Sequence, residues 1–488
     1  MNHAFENITD YPGTGPQTLF LPGWGFDGRI LSLLKPAPHW IYPADPLDPE
    51  TFALDLLQFL VAKNISKVRL IGWSMGAMLG LEFAAKHRDL LDSLVLVSLR
   101  ALWPAGEIRE LRAEFSRHPE SFLKGFYRKC FLGDKAAYRN FCATLEPSYI
   151  AAIKTNSARL ERGLDFLGTF RTPSPASDLP TRLIHGRQDI IAPVEEMARL
   201  PGADVEVIDN AGHGVFLHAD SSLQQELKKQ RIRLKFSRAA DSYDNYAKVQ
   251  GEVALKLAAM LPLPQDAPGI KTILEIGCGT GNFTSLLAAR FPAAKIVGLD
   301  FSPEMIAKAR HKLKSDAIDF ICAEGEGFLQ ETPDQSFDLV VSNGSLQWFS
   351  DIDSVLRNIA RILSSEGSMA CSIFGPESLK ELGQGLEEEL QILSENVAAH
   401  RFPQPAKLQQ ALHDSFQEGT VAEELLEKEY RSAHDLLLHI KKTGTSGWQQ
   451  NLRQPLTPSR VGKLDEWFTK THGACRVTYQ IIFLQGRK

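Results

Sequence analysis

The stretch Leu70-Ile71-Gly72-Trp73-Ser74-Met75-Gly76-Ala77-Met78 decides how the first half of this chain folds. An apolar run begins at Val68, and an amphipathic segment follows as far as Lys86, so the pattern predicts a buried strand, a tight turn and a helix. Glycines on both sides of Ser74 let the chain turn sharply enough to raise the serine hydroxyl above the sheet. The sequence therefore predicts Ser74 as a nucleophile beside the N-terminus of a helix.

A second glycine-rich stretch, Leu274-Glu275-Ile276-Gly277-Cys278-Gly279-Thr280-Gly281, lies in the other half of the chain. It also reads as a strand that feeds a loop and then a helix. Two such centres in 488 residues predict two or three domains, and the ordinary content of 43% hydrophobic and 23% charged residues predicts globular cores.

The bulk properties exclude some classes of function. A net charge of -5 argues against nucleic acid as the main partner. The six cysteines are scattered, without C-x-x-C pairs or Cys/His clusters, which predicts reduced thiols and no metal site. No basic and apolar leader opens the chain between Met1 and Gly15, and no apolar run is long enough to cross a bilayer. We therefore expect a cytoplasmic protein with no membrane partner.

Two further residues complete a catalytic pattern with Ser74. Asp189 follows the predicted strand Thr181 to His185, and His213 lies in a glycine-rich turn after the strand Val205 to Ile208. Serine needs an imidazole to remove its proton and a carboxylate to orient that imidazole. The chain order Ser, Asp, His, with each residue after an apolar strand, is typical of the α/β-hydrolase triad. We interpret His185, His218 and Asp209 as neighbours without a catalytic role.

The loop Pro22-Gly23-Trp24-Gly25 follows an early strand, Thr18 to Leu21. On its own it could be an ordinary Pro-Gly turn. Together with Ser74 it predicts an oxyanion hole formed by the backbone N–H groups of Trp24 and Met75.

Residues 104–171 interrupt the alternation of strands and helices with a helical, aromatic-rich segment, which we expect to form a cap over the active site. It contains twelve Lys and Arg against eight Asp and Glu. A basic, aromatic cap suggests an anionic ligand with an apolar tail, although solvated basic helix faces would give the same composition. A charged helix from Ser221 to Lys235 then leads without a flexible linker into the second half. We place the domains at 1–230 and 231–488.

The second half carries a pattern suited to S-adenosylmethionine (SAM). Glu275 precedes three glycines, Gly277, Gly279 and Gly281, whose spacing differs from the G-x-G-x-x-G of dinucleotide sites. The next strand ends at Asp300, where a carboxylate can accept the ribose hydroxyls. Glu324, after the third strand, lies where an acid or a neighbouring N–H meets adenine, and Asn343 ends the fourth strand. The strands predict a Rossmann-like, doubly wound sheet that closes on an antiparallel edge strand, Cys475 to Leu484.

The motifs of the two halves resemble those of two known enzyme families. Gly23-Trp24-Gly25, Gly72-Trp73-Ser74-Met75-Gly76 and the short cap resemble the pimeloyl-[acyl-carrier protein] methyl ester esterases of biotin synthesis. The run from Phe236 to Asp244, the SAM loop and the run from Ser342 to Trp348 resemble malonyl-[acyl-carrier protein] O-methyltransferases. Pro22 departs from the histidine usual in these hydrolases, so the geometry of that loop stays open.

The resemblance implies a fold, ligands and site residues. The fold would be an N-terminal α/β-hydrolase with a helical cap and a C-terminal Rossmann-like SAM-dependent methyltransferase. SAM would be the methyl donor, no metal would be needed, and the partner would be an acyl carrier protein bearing a malonyl or a pimeloyl methyl ester thioester. The residues expected to contact substrate are Trp24, Trp73, Phe141, Arg128, Arg139, Arg159, Arg162 and Tyr243.

The resemblance implies two opposed activities. The second domain would methylate the free carboxylate of the malonyl thioester, and the first would hydrolyse the methyl ester once the chain has reached pimeloyl length. Two alternatives remain open: a general carboxylesterase fused to an unrelated small-molecule methyltransferase, and a scaffold whose hydrolase half only binds acyl carriers. The complete set of Ser74, Asp189 and His213 argues against the scaffold.

Overall fold

The computed structural model describes residues 5–7, 17–34, 38, 40–173, 178–263, 265, 269–445 and 456–488. The chain divides into two compact units, Met1–Leu227 and Lys228–Lys488. The boundary that the sequence predicted, after residue 230, lies a few residues beyond the one between Leu227 and Lys228, and both fall within the helix Ser222–Ala239. Most of the N-terminal stretch expected to lack a signal peptide lies outside the described residues. Among the helices of the described ranges, none is long and apolar enough to cross a membrane.

The first unit is built on a sheet whose described strands follow the order β1-β3-β2-β4-β5-β6-β7. All neighbouring strands run parallel except β1, which pairs antiparallel with β3. A parallel sheet needs crossover connections, and the helices between the strands supply them. The strands are β1 Phe5–Asn7, β2 Gln17–Leu21, β3 Ile41–Pro43, β4 Val68–Trp73, β5 Leu91–Val97, β6 Thr181–Gly186 and β7 Asp204–Ile208.

The helices of this unit include two that pack on the sheet, α1 Phe52–Ala62 and α2 Met75–Lys86. Five more form the cap between β5 and β6, and the described residues of that segment contain no strand, as the sequence predicted. The cap helices are α3 Ala105–Arg117, α4 Pro119–Cys130, α5 Lys135–Thr144, α6 Glu146–Ala151 and α7 Ile153–Thr169. Helix α8, Ser222–Ala239, carries the chain into the second unit.

The second unit is built on a sheet with the strand order β10-β9-β8-β11-β12-β14-β13 in the described residues. Strands β8 to β12 run parallel, so their carboxyl ends share one edge of the sheet. The strands are β8 Thr272–Ile276, β9 Lys295–Asp300, β10 Ile318–Cys322, β11 Phe337–Asn343, β12 Leu363–Phe374, β13 Glu418–Tyr430 and β14 Cys475–Arg487.

One prediction about this sheet is wrong. The last strand, β14, is not at the edge, because it lies antiparallel between β12 and β13. The edge strand is β13, which the sequence pattern did not identify. Six of its thirteen residues are charged and most of its side chains are exposed, and charged side chains are one way in which natural edge strands avoid pairing with other chains.

The helices of the second unit flank this sheet. After strand β12, the chain is α-helical from Lys380 to Leu390. The helices are α9 Tyr243–Tyr246, α10 Lys248–Met260, α11 Asn282–Arg290, α12 Pro303–Lys312, α13 Gly325–Glu331, α14 Ile352–Ile362, α15 Lys380–Leu390, α16 Pro405–Ser415, α17 Ala433–Lys442 and α18 Pro458–His472.

Candidate active sites

Ser74 lies at the turn between β4 and α2 in a strained backbone conformation, with φ 57° and ψ -118°. Its N–H donates to Val97 O at 2.8 Å, which fixes the turn against the neighbouring strand. A Cβ on Gly76 would lie 2.2 Å from Leu21 O, and one on Gly72 would lie 2.4 Å from Gly76 O. The two glycines are therefore required by the close approach of backbone on either side of Ser74.

The structure brings the three predicted triad residues together. His213 Nε2 lies 2.9 Å from Ser74 Oγ, and His213 Nδ1 lies 2.8 Å from Asp189 Oδ2. Asp189 Oδ1 accepts two backbone N–H groups, from Ile191 at 2.9 Å and Ala192 at 2.8 Å. Burial alone would raise the pKa of Asp189, but the charge and hydrogen bond of His213 and the backbone donor at Ala192 lower it. A carboxylate held ionised in this way can fix the imidazole and stabilise its cation.

The histidine is held by two groups that the sequence did not indicate as supports. Trp73 Nε1 donates to His213 O at 2.7 Å, and Ser98 Oγ donates to the same oxygen at 2.9 Å. The prediction that Trp73 contacts substrate is not supported, because its indole is buried against His213 and Phe216. Trp73 precedes the nucleophile in the strand, and alternate side chains of a strand point to opposite faces, which is the signal that could have shown this.

The loop of residues 22–27, which we call the oxyanion loop, passes directly over the nucleophile. A Cβ on Gly23 would lie 3.1 Å from Ser74 Cβ. Among the described residues, neither the backbone N–H of Trp24 nor that of Met75 has an acceptor. Both N–H groups are therefore free to bind an oxyanion, as the sequence predicted for them. The Trp24 side chain is buried, and its Nε1 donates to Leu160 O at 2.8 Å.

The cap covers this site with aromatic side chains. Phe141 is completely buried, with its ring centroid 5.9 Å from that of Phe26 and 5.1 Å from that of Tyr127. The prediction that Phe141 contacts substrate is not supported in this closed arrangement, because its ring forms part of the cap core. The spacing of apolar residues on a helix does not distinguish a core residue from one that lines a substrate channel.

The structure separates the four cap arginines into two pairs. Arg159 forms an ion pair with Asp45 at 2.8 Å, and Arg162 Nε donates to Asp48 Oδ1 at 3.0 Å. Arg128 and Arg139 are exposed and have no ion-pair partner in the described part of the chain. Arg128 and Arg139 are therefore available to an anionic ligand. Arg159 and Arg162 would first have to break their ion pairs with Asp45 and Asp48 before they could bind one.

The three residues interpreted as neighbours of the triad occupy other positions. His185 Nε2 lies 2.7 Å from Ala192 O and 3.7 Å from Asp189 Oδ2, the same carboxylate oxygen that His213 Nδ1 contacts. Asp209 is exposed and pairs with Arg187 at 2.5 Å. His218 lies 3.7 Å from the exposed carboxylate of Asp220.

The second unit contains a cavity at the carboxyl ends of its parallel strands. Of the residues predicted to bind SAM, five line it, and the predicted substrate residue Tyr243 does so too. The five are Gly277, Gly279, Asp300, Glu324 and Asn343. Open sheets of this kind bind ligands at this edge.

Two of the predicted SAM residues do not reach the cavity wall. Glu275 is buried, and its carboxylate accepts a hydrogen bond from Thr284 Oγ1 at 2.5 Å. Burial raises the pKa of Glu275 to about 8. Gly281 begins α11 with φ +84°. Both residues shape the glycine loop from behind, and the prediction that they contact the ligand directly is not supported.

Asp300 offers a carboxylate to the cavity at the end of β9. Its oxygens accept the N–H groups of Gly279 at 3.0 Å and Ser302 at 2.8 Å, which hold the acid and the glycine loop together. Burial raises the pKa of Asp300 to about 6. A fixed, partly desolvated carboxylate beside exposed glycine backbone fits a ligand with a ribose diol and a charged amino-acid end.

Glu324 and Asn343 are already engaged by the protein. Glu324 accepts the N–H of Gly327 at 2.9 Å and pairs with Lys229 at 3.0 Å. Asn343 Nδ2 donates to Gln250 O at 3.1 Å, and its Oδ1 accepts from Ser372 at 2.9 Å. For adenine, the backbone beside Glu324 is therefore better placed than its carboxylate, which was one of the two options that the sequence left open.

Asp244, for which the sequence predicted no role of its own, fastens Tyr243 over the cavity. Asp244 Oδ1 accepts from Thr280 Oγ1 at 2.5 Å and from Asn282 Nδ2 at 2.9 Å, and Oδ2 pairs with Lys312 at 2.9 Å. Lone polar residues give no sequence signal of such a contact, because the partners lie on two other segments, the glycine loop with the start of α11 and the end of α12. Among the described residues, no group of three or more His, Cys, Asp or Glu side chains could hold a metal ion.

Comparisons with known proteins agree with this division. Residues 8–223 match the model of the alpha/beta hydrolase family, and residues 274–371 match that of a methyltransferase domain. The chain is 34% identical over 274 residues to a malonyl-[acyl-carrier protein] O-methyltransferase of Acetivibrio thermocellus, covering 54% of this chain and 95% of that one. It is 35% identical over 228 residues to the protein of the same name from Paenibacillus, covering 45% and 82%.

One relative spans both units. It is the "Biotin biosynthesis bifunctional protein BioHC" of Cellvibrio japonicus, 25% identical over 484 residues, which cover 91% of this chain and 93% of that one. The resemblance that the sequence motifs indicated is confirmed for both halves. The chain is a bifunctional enzyme, a hydrolase followed by a methyltransferase, and through its second unit it belongs to the malonyl-[acyl-carrier protein] O-methyltransferase family.

Proposed function

We propose that the two units carry out opposite steps on acyl-carrier thioesters of biotin synthesis. The second unit, residues 231–488, transfers a methyl group from SAM to the free carboxylate of malonyl-[acyl-carrier protein]. The first, residues 1–230, hydrolyses the methyl ester of pimeloyl-[acyl-carrier protein]. The observation that carries the proposal is a complete, hydrogen-bonded Ser74, His213 and Asp189 set in a chain that is similar to a bifunctional biotin protein over 91% of its length.

For the esterase we assign the roles as follows. Ser74 Oγ attacks the ester carbonyl while His213 Nε2 takes its proton and then gives it to the departing methoxide. The backbone N–H groups of Trp24 and Met75 bind the oxyanion of the tetrahedral intermediate. Water attacks the acyl-enzyme in the second step, with His213 again as base, so the products are the free carboxylate and methanol.

For the methyltransferase, SAM supplies an electrophilic methyl group on a sulfonium ion. The glycine loop at Gly277 and Gly279 and the carboxylate of Asp300 bind and orient it, and the backbone at Glu324 and the wall at Asn343 complete the cavity. A malonyl carboxylate is already ionised, so the protein needs to hold donor and acceptor in line rather than remove a proton. Tyr243, held by the contacts of Asp244, closes the cavity over both.

The partner follows from the substrates. We propose an acyl carrier protein, with Arg128 and Arg139 of the cap as contacts for its negative charge and Arg159 and Arg162 as contacts that first release Asp45 and Asp48. We also propose that the enzyme works in the cytoplasm. All six cysteines are free thiols, which suits a reducing compartment.

The test uses the Ser74→Ala protein, which cannot cleave the ester it makes. With SAM and malonyl-carrier protein, we expect methyl ester to accumulate, measured by intact mass of the carrier. Wild-type protein should convert pimeloyl-carrier methyl ester to the free acid, and Ser74→Ala should not. If Ser74→Ala binds SAM but does not methylate the malonyl carrier, the fusion of a carboxylesterase with an unrelated methyltransferase is the better interpretation.

A further inference from the structure

Hydrogen bonds from two neighbouring residues, Trp24 and Gly25, hold the oxyanion loop to the cap. Tyr127 of α4 donates its hydroxyl hydrogen to Gly25 O at 2.8 Å, and Trp24 Nε1 donates to Leu160 O of α7 at 2.8 Å. Both bonds are buried. A third cap helix, α6, reaches the end of the loop, where the Tyr149 hydroxyl donates to Asp27 Oδ1 at 3.1 Å. The loop therefore takes its position from cap helices as well as from strand β2.

The loop needs such anchors because its backbone is free to rearrange. Gly25 has φ +78°, a conformation in which glycine can rotate at little cost, and it follows directly after the residue that offers its N–H to the oxyanion. Within the loop, Phe26 N–H bonds to Gly23 O at 3.2 Å. The carbonyl of Gly25 and the N–H of Phe26 belong to one planar peptide, and the carbonyl of Gly23 and the N–H of Trp24 belong to another. The bond from Phe26 N–H to Gly23 O therefore couples the carbonyl that Tyr127 holds to the peptide that carries the oxyanion donor.

Helix α4 also reaches the loop that carries the catalytic histidine. Gly214 N–H donates to Cys130 O, at the end of α4, at 2.9 Å. A Cβ on Gly212 would lie 2.3 Å from Leu132 O, so the segment after α4 packs directly on that loop. One cap helix is therefore bonded to the loops on either side of the nucleophile.

From these contacts we infer that Tyr127 is a positioning residue of the esterase, which holds the Trp24 N–H in place for the oxyanion through the carbonyl of Gly25. The inference rests on the esterase function proposed above. Tyr127 touches no reacting atom, and it acts only through the loop. The alternative is that Tyr127 contributes packing alone, since its ring lies 4.9 Å from that of Phe26 and 5.1 Å from that of Phe141.

Tyr127→Phe separates the two roles, because it removes the hydroxyl and keeps the ring. Tyr138→Phe is the matched control: Tyr138 lies in cap helix α5 and, in the described residues, bonds to neither loop. Each full-length variant is assayed with p-nitrophenyl acetate for kcat and KM. Phenylboronic acid, which mimics the tetrahedral intermediate on serine, serves as the inhibitor.

Removing one oxyanion donor outright costs about 10²–10³ in kcat. Because Tyr127→Phe only loosens a donor, we expect about a tenfold lower kcat, with boronate inhibition weakened by the same factor and KM within about twofold. Tyr138→Phe should match wild type. Wild-type kcat in Tyr127→Phe, or a lower kcat with unchanged boronate affinity, would overturn the inference and leave the esterase proposal intact.

Folding is checked by the thermal midpoint and by titration of Ser74 with a fluorophosphonate. If Tyr127→Phe did not fold, Trp24→Phe is measured in the same way. This variant removes the hydrogen bond from the indole to Leu160 O and keeps the backbone donor. A wild-type kcat in that variant would contradict the positioning role of the cap. An inactive wild-type protein would instead overturn both the esterase proposal and this inference.

Discussion

At the scale of single residues, Asp189 sets how well His213 can act as a base. Asp189→Asn keeps the shape of the site but reverses the hydrogen bonding to His213 Nδ1, which favours the wrong tautomer. We expect kcat for ester hydrolysis to fall about 10⁴-fold. Asp209→Asn is the control, because Asp209 is exposed and bonded to Arg187, and its activity should equal that of wild type. Similar losses in the two variants would show that Asp189 is not the triad acid.

Asp300 should give SAM binding a dependence on pH. Its pKa is raised to about 6 by burial, and the ionised form is the one that accepts ribose hydroxyls. We expect the Kd of SAM, measured by calorimetry, to rise about tenfold for each pH unit below about 6. The charge of Asp300 also raises the pKa values of Glu275, Cys278 and Tyr243, so these groups could contribute to a pH dependence. The control is therefore Asp300→Asn, which should bind SAM weakly at every pH and without this slope.

The same carboxylate has the opposite effect on folding. Because its pKa is higher in the folded protein than in the unfolded chain, its contribution to stability is present at low pH and is lost as pH rises through about 6. Without ligand, Asp300 therefore opposes folding at neutral pH. The backbone N–H groups of Gly279 and Ser302 offset part of this cost, and hydrogen bonds from a bound ligand would offset more of it.

The structure places most of the predicted site residues at the two centres, and the predicted residues whose side chains turn away from them have one feature in common. Ser74, Asp189 and His213 follow strands whose ends lie at one edge, so topology alone brings them together. Trp73, Phe141 and Glu275 lie next to site residues or within the expected segments, but their side chains point into the core. Which way a side chain points depends on long-range packing, and motif spacing does not carry that information.

At the scale of elements, the nucleophile turn depends on backbone contact. Gly76→Ala places a Cβ 2.2 Å from Leu21 O, which cannot move aside, so we expect a loss of about 3 kcal/mol and of esterase activity. Gly80→Ala, in the same helix, meets only the end of the Leu70 side chain at 2.6 Å. The gain in helix propensity, about 1 kcal/mol, offsets much of that contact. Urea unfolding measures both, and equal losses would show that backbone contact is not the deciding factor.

Strand β13 shows which elements a sequence hides. Its residues, Glu418–Tyr430, include six acidic or basic side chains before the tyrosine and few apolar ones, so no apolar alternation marks it as a strand. It is a strand because β14 offers thirteen residues of pairing partners along its full length. Pairing with β14 therefore determines that this segment is a strand, whereas the buried parallel strands can be predicted from their apolar runs.

At the scale of the whole molecule, the two units should respond separately to ligand. SAM at about 100 times its Kd stabilises a folded unit by about 2.7 kcal/mol, which for a unit of this size raises the midpoint by about 5–10 °C. We expect calorimetry of the intact protein to show this shift in only one of two transitions. The Asp300→Asn protein is the control and should show little shift at the same SAM concentration. A shift of both transitions together would contradict independent units.

The two activities also require discrimination between ester substrates. The esterase would destroy the product of the methyltransferase unless it prefers the longer acyl chain, and the aromatic cap is the element placed to sense that length. We expect the kcat/KM for the pimeloyl-carrier methyl ester to exceed that for the malonyl-carrier methyl ester by at least about 100-fold, since each buried methylene contributes about 0.8 kcal/mol. Comparable values for the two esters would contradict selection of chain length by the cap.

The continuous helix α8 joins the units in one polypeptide, and this has a consequence for the cell. Because both units belong to one chain, each translation event makes one methyltransferase unit and one esterase unit. Changes in gene expression or in the breakdown of one partner cannot alter their ratio. The balance between protecting a growing acyl chain and releasing it must therefore be set by catalytic rates and by the supply of SAM and carrier, and natural selection can adjust it only through the amino acids of the two sites.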